Sequence, residues 1–178
     1  DELNEAGIGT RILKGSEVDI LEDGSLDLPD SVLSELDVVI VSVHSKFNLP
    51  REKQTARVLK ALDNPWVTFL AHPTGRLLLE RDGYEIELDA VLNHIKQRGC
   101  FVELNAHPLR LDINDVYCRK ARELAMPVVI NNDAHSIGDF AHHADGIMQA
   151  RRGWLEKQHV VNTLSLPALL KKLKATKC

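Results

Sequence analysis

The sequence predicts an α/β protein built on a parallel sheet. Five short, β-branched apolar segments recur along the chain, and four of them show no alternation of apolar and polar residues. Unbroken apolar runs mark strands covered on both faces, as parallel strands are. Stretches of helical periodicity lie between them, which makes repeated βα units the simplest arrangement. The strand segments, in order, are TRILKGSEVDI (10–20), DVVIVSVHS (37–45), WVTFLAHP (66–73), CFVELNAHP (100–108) and PVVINNDAHS (127–136).

Four helices are predicted among them. Over 50–62, Pro50 suits a first turn and Val58, Leu59 and Leu62 share one face, with Asn64-Pro65 as the stop. Over 87–98, Leu88, Val91, Leu92 and Ile95 follow the i, i+3, i+4, i+7 pattern, and Gly99 stands at the C′ position. Over 114–125, Val116, Tyr117 and Leu124 are expected to face inward. Over 167–175, Leu169, Leu170 and Leu173 close the chain. An open doubly wound sheet and a barrel both fit, and both collect functional groups at the carboxyl ends of the strands.

The chain has 178 residues, 44% of them apolar and 27% charged, enough for one domain with a substantial core. No apolar run reaches the roughly 18 residues of a membrane span, and no signal peptide is recognisable. The start at Asp1, without Met, suggests a piece of a longer chain. Cys100 and Cys118 read as core residues, and the absence of paired-cysteine spacing suits a reducing cytoplasm. A net charge of −4 gives no global nucleic-acid footprint, so an anionic substrate would need local positive charge from a metal or from arginines. Nucleotide-binding glycine loops and the GxSxG elbow are missing, which argues against P-loop, Rossmann and serine-hydrolase chemistry.

Every predicted strand ends in chemistry. The first carries Glu17 and Asp19, the second His44, the third His72, the fourth Glu103, Asn105 and His107, and the fifth Asp133 and His135. Convergence on one rim would place imidazoles beside carboxylates without thiolates. That donor set suits Zn²⁺, Mn²⁺ or Fe in hydrolytic sites, where carboxylates can bridge two ions. Glu17, His44, His72, Asp133 and His135 are therefore the candidate metal ligands. Asn105 and His107 are candidates to support them from behind, with a turn role before Pro108 as the alternative for His107. Arg76 and Arg110, close behind His72 and His107, are candidate phosphate-binding residues, because the guanidinium fork matches phosphate oxygens. His94 and His159 read as surface residues, and His142 and His143 as surface residues or supports behind the ligands.

The segments LKGSEVDIL.DGSLDLPD, VSVHSKFNL, HPTGRLL, VELNAHPLRLDIND, NNDAHS and ARRGWLEK…NTL together resemble the polymerase and histidinol phosphatase (PHP) domain. The resemblance is to the version at the C-terminus of bacterial family X DNA polymerases and covers nearly the whole chain. It implies a distorted (β/α)7 barrel with up to three Zn²⁺ or Mn²⁺ ions on its C-terminal rim. The same five residues are implied as ligands: Glu17 bridging two ions, with Glu17, Asp133 and His135 central to catalysis. The implied activity is hydrolysis of DNA phosphodiesters, as a 3′–5′ exonuclease or in end processing during DNA repair, with DNA and the protein's own N-terminal polymerase region as partners.

The chain departs from the family pattern in places. The strand bearing an HxH pair is not in it, NAHP stands for NANP, and NNDAH stands for NTDAH. Residues 1–178 are thus expected to form a partial PHP domain of about five βα units, lacking the first two units and the polymerase domain. The strand around 11–20 would then be an exposed edge open to self-association, and the isolated fragment would hydrolyse little or nothing. Two other readings compete: a small-molecule phosphatase of the histidinol-phosphate type, and a metal-free module that only positions the polymerase.

Overall fold

A computed structural model of the chain describes residues 2–7 and 9–177. Its centre is a five-stranded, all-parallel sheet in the order β1-β2-β3-β4-β5, with β1 Gly15–Asp19, β2 Val38–Ser42, β3 Phe69–Leu70, β4 Phe101–Asn105 and β5 Val128–Asn131. Seven α-helices accompany it among the described residues: α1 Glu2–Glu5, α2 Asp30–Leu33, α3 Arg51–Leu62, α4 Leu88–Arg98, α5 Asp115–Glu123, α6 His143–Arg152 and α7 Leu166–Thr176. None is long and apolar enough to cross a membrane.

The parallel sheet is as the sequence predicts, though every strand is shorter than its apolar segment. β3 keeps only two residues; the Ala71 amide still bonds the Val41 carbonyl, and the chain turns at His72. The α4 prediction is met in detail: Leu88, Val91, Leu92 and Ile95 are all buried. Gly99 takes φ +70°, and the amides of Gly99 and Cys100 return to the carbonyls of Lys96 and Ile95. That left-handed exit favours glycine.

Two expectations need correction. Val116 is 66% exposed, and the buried face of α5 is made by Cys118 and Ala121, with Tyr117 and Leu124 half-buried beside them. Val116 lies two residues from Cys118, roughly opposite it around the helix, so it cannot share the stripe of Tyr117, Cys118, Ala121 and Leu124; the Asn114 side chain caps the Tyr117 amide and the helix starts at Asp115. Leu170 is also largely exposed, while Leu169 and Leu173 pack inward.

In-register parallel pairing sorts the side chains onto two faces. Val18, Ile20, Val39, Val41, Leu70, Val102, Leu104 and Val128 point into the main core, where Val58 and Leu62 of α3, the apolar face of α4 and Cys118 and Ala121 of α5 meet them. The opposite face is apolar at its amino end, with Val38, Ile40, Phe69, Phe101 and Val129, and is lined further by Val161, Leu169 and Leu173. Toward the carboxyl ends the same face turns polar. Along β4 the succession Phe101, Glu103, Asn105 spans that gradient in three alternate positions, and a cavity of about 330 Å³ opens over it.

Both sheet edges can be followed. The β5 edge is covered by Asn162, whose side chain accepts from the Ile130 amide and donates to the Ile130 carbonyl, at 2.8 Å each, as a neighbouring strand would. The other edge of the sheet is β1, as expected for the strand around residues 11–20.

Candidate metal centre

Glu17, His44 and His72 meet at the carboxyl ends of β1, β2 and β3. One ligand atom from each lies within 4.8 Å of the others. Glu17 points onto the cavity face, and its Oε1 accepts from His72 Nε2 at 2.9 Å and stands 3.5 Å from His44 Nε2. The two imidazole rings are 5.2 Å apart. Asp19 lies two residues beyond Glu17, so strand periodicity puts it on the same face. Its carboxylate accepts from His44 Nδ1 at 2.6 Å. A carboxylate holding one ring nitrogen fixes the tautomer and turns the other nitrogen to the centre, the arrangement that orients metal-bound histidines.

His72 is 2% exposed and takes φ +26°, a left-handed conformation that costs a side-chain-bearing residue about 1–2 kcal/mol. Its backbone amide donates to Glu103 Oε2 at 2.7 Å. The turn that follows is tied by Asp112, whose Oδ2 accepts from the Thr74 amide, the Thr74 hydroxyl and the Gly75 amide. Gly75 has φ +62°, and a Cβ there would stand 2.6 Å from the Tyr84 ring, so the HPTG turn requires glycine.

Electrostatics favour a cation. The hydrogen bond from His72 holds the Glu17 carboxyl down at about 2, against the upward push of burial. Burial disfavours the His72 imidazolium, but Glu17 and Glu103 outweigh it and its pKa is raised. His72 Nδ1 is buried without a hydrogen-bond partner among the described residues, so the ring's anchoring lies entirely on its Nε2 side. Two imidazoles and an ionised carboxylate, with one histidine already oriented from behind, fit a divalent ion such as Zn²⁺ or Mn²⁺.

Asp133 shares the cavity with Glu17 and His72. It also takes a left-handed φ, +53°, and its Oδ2 receives Arg110 Nε at 3.0 Å and Asn105 Nδ2 at 3.1 Å. His135 is not brought into the cluster. Its side chain is 84% exposed and its Nδ1 contacts the Asp133 carbonyl at 2.7 Å. The turn carrying it is held by Asp139, whose carboxylate accepts from the amides of His135 and Ser136.

The remaining candidates divide. Asn105 lies beneath the cavity, donating to Asp133 and Glu103 while accepting from the His107 amide. His107 packs edge-on against His142, ring centres 5.2 Å apart, and is not one of the clustered Glu17, His44 and His72. Arg76 spends its guanidinium on the carbonyls of Arg110 and Leu111, so it braces a loop and offers no free fork. Arg110 uses Nε on Asp133 and stays partly exposed beside the cavity.

Sequence reasoning placed Glu103 and Asp19 at strand ends but gave neither a role. Glu103 is fully enclosed. Burial raises its pKa to about 7, against the opposing pull of His72 and of the Asn131 amide, whose Nδ2 donates to Oε1 at 2.9 Å. The available signal was the spacing: Glu17/Asp19 and Glu103/Asn105 are both i, i+2 polar pairs ending an apolar strand.

No family model matches the chain. It is 45% identical over 166 residues to the DNA polymerase/3′-5′ exonuclease PolX of Bacillus subtilis, covering 93% of this chain and 29% of that protein. It is 31% identical over 169 residues to a probable phosphatase of Syntrophotalea carbinolica, covering 88% of this chain and 67% of the relative. A probable phosphatase of a Thermoanaerobacter species is 30% identical over 165 residues, of which the chain spans 65%.

Proposed function

From the premise that this chain belongs to the family of these probable phosphatases, we propose that it is the phosphoesterase part of a PolX-type DNA polymerase. The observation that carries the reading is the Glu17, His44 and His72 cluster at the carboxyl ends of three parallel strands. The sheet is read as five units of a PHP-type (β/α)7 barrel, with the first two units and the polymerase region outside residues 1–178. The substrate is a DNA phosphodiester, cleaved from a 3′ end or during end processing in DNA repair.

A divalent ion, Zn²⁺ or Mn²⁺, bound by this cluster would supply Lewis-acid and water-activating chemistry. Glu17, His44 and His72 would hold it, with Asp19 keeping the His44 ring oriented through Nδ1. Asp133 and His135 would complete the ligand set, up to three ions in the whole domain; for His135 this would require its side chain to turn inward from solvent. Arg110, rather than Arg76, steadies the phosphate, since its terminal nitrogens remain available beyond the Asp133 contact. The apolar end of the cavity excludes water beneath the reacting group. The free edge of β1 is the surface through which the isolated chain would self-associate.

A histidinol-phosphatase-like activity is the second reading, supported by the relatives named as probable phosphatases. Thermal melting with added Zn²⁺ or Mn²⁺, followed by assays on a 3′-labelled single-stranded oligonucleotide and on p-nitrophenyl phosphate, tests both. The expected result is a metal-dependent rise in Tm, lost in His44→Ala and His72→Ala, with slow release of nucleotides from the oligonucleotide. Turnover of the phosphomonoester alone favours the second reading. A Tm indifferent to either metal overturns the site and supports a metal-free positioning module.

A further inference from the structure

His72 and Asp133 both carry their side chains from left-handed backbone, at φ +26° and +53°, although neither is glycine. Such conformations persist only where the surroundings over-determine them. The surroundings here converge on one carboxylate. Glu103 Oε2 accepts from the His72 amide at 2.7 Å and from Asn105 Nδ2 at 3.3 Å. The same Asn105 nitrogen donates to Asp133 Oδ2 at 3.1 Å. Glu103 Oε1 accepts from Asn131 Nδ2, two residues before Asp133.

We propose that Glu103 is the positioning residue of the centre, fixing the His72 turn directly and the Asp133 turn through Asn105 and Asn131. The proposal rests on the reading of His72 and Asp133 as metal ligands. Its physical basis is the donor count. His72 N–H, the Asn105 amide and the Asn131 amide all donate, and the ionised carboxylate, the form above about pH 7, accepts from all three because both its oxygens are acceptors only. Alanine loses the whole hub. Glutamine keeps one acceptor oxygen, which can stay on the His72 amide, and turns its NH₂ toward Asn131, whose own amide can flip to accept. Rigid, buried outer partners of this kind set how well first ligands meet an ion.

The test uses the full chain as wild type, Glu103→Ala and Glu103→Gln, with two readouts. The first needs no ion: the backbone amide proton of His72 in ¹H–¹⁵N spectra, which loses its carboxylate acceptor in Glu103→Ala and shifts upfield, and moves less in Glu103→Gln. The second is Co²⁺ titration followed by absorbance, where Glu103→Ala weakens binding roughly 10–100-fold and Glu103→Gln recovers most of the loss. A folded Glu103→Ala with an unmoved His72 amide overturns the proposal whatever the ion does, and so does unchanged Co²⁺ affinity. If the wild type takes up no Co²⁺ while the amide responds, the metal reading fails and Glu103's hold on the turns stands. Should Glu103→Ala not fold, Glu103→Gln decides: unchanged Asn131 side-chain NH₂ resonances overturn the proposal.

Discussion

Lowering the pH from 8 to 5 should stabilise the metal-free chain, and Glu103 sets most of the amount. Its carboxyl rises from the usual 4.5 to about 7 on burial. A carboxyl whose pKa is raised by folding binds its proton more tightly when folded, so stability is greatest below about 4.5 and is lost as the pH climbs through about 7. At about 1.4 kcal/mol per pH unit, the gap amounts to about 3 kcal/mol. For a chain of this size, roughly 2–4 °C of Tm accompanies each kcal/mol, so Tm should fall by roughly 6–12 °C between pH 5 and pH 8. His72 acts in the same direction: its pKa is raised too, so the stability it adds is present below its ordinary value and is lost as the pH rises through the raised one. Calorimetry on protein stripped with a chelator measures the slope, with Glu103→Gln as the control that flattens it. A Tm that is level or higher at pH 8, or an identical slope in Glu103→Gln, would refute the reasoning.

Three other outcomes follow from the geometry. Below pH 4.5 the trend should reverse, because Glu17 is held at about 2 and its contribution is lost as pH falls toward that value; Glu17→Gln should shallow the acid limb of a Tm-versus-pH curve. Gly153→Ala should destabilise by about 1–3 kcal/mol in urea titration, since the new Cβ would lie 2.2 Å from the Cβ of Cys118 and 2.8 Å from the Asp115 carbonyl oxygen, where α6 ends against α5; an unchanged midpoint would contradict that packing. Asn162→Ala should remove two hydrogen bonds from the β5 edge at a cost of about 1–2 kcal/mol, and faster exchange of the Ile130 amide reports it directly.

Much of the architecture was legible in the chain. The apolar run of 38–42 does not fit a half-solvated sheet, so it had to be covered on both faces, and parallel βα units provide that cover. The 3.6-residue rhythm of Leu88, Val91, Leu92 and Ile95, closed by Gly99, left α4 little choice. Glu17, His44 and His72 could be named because parallel strands bring their carboxyl ends to one rim whatever the connecting helices do. Val116 was misjudged because in a short helix its apolar side chain suggests the core, while the small Cys118 and Ala121 make the buried stripe on the opposite side.

What the sequence determined alone was local and periodic: which segments extend, which coil, and which polar residues stand at strand ends. Backbone direction at the ends of β3 and β5 belonged to the tertiary structure. His72 turns inward because a buried carboxylate 31 residues away holds its amide, and Asp133 faces the cavity because Asn105 and Arg110 grip its side chain. His135, two residues on, is held by the nearby Asp139 and the Asp133 carbonyl rather than by a distant strand, and its side chain points to solvent. Left-handed turns are unfavourable for these residues in isolation, so no local preference announces them; only contacts between distant strands make them the lower-energy choice.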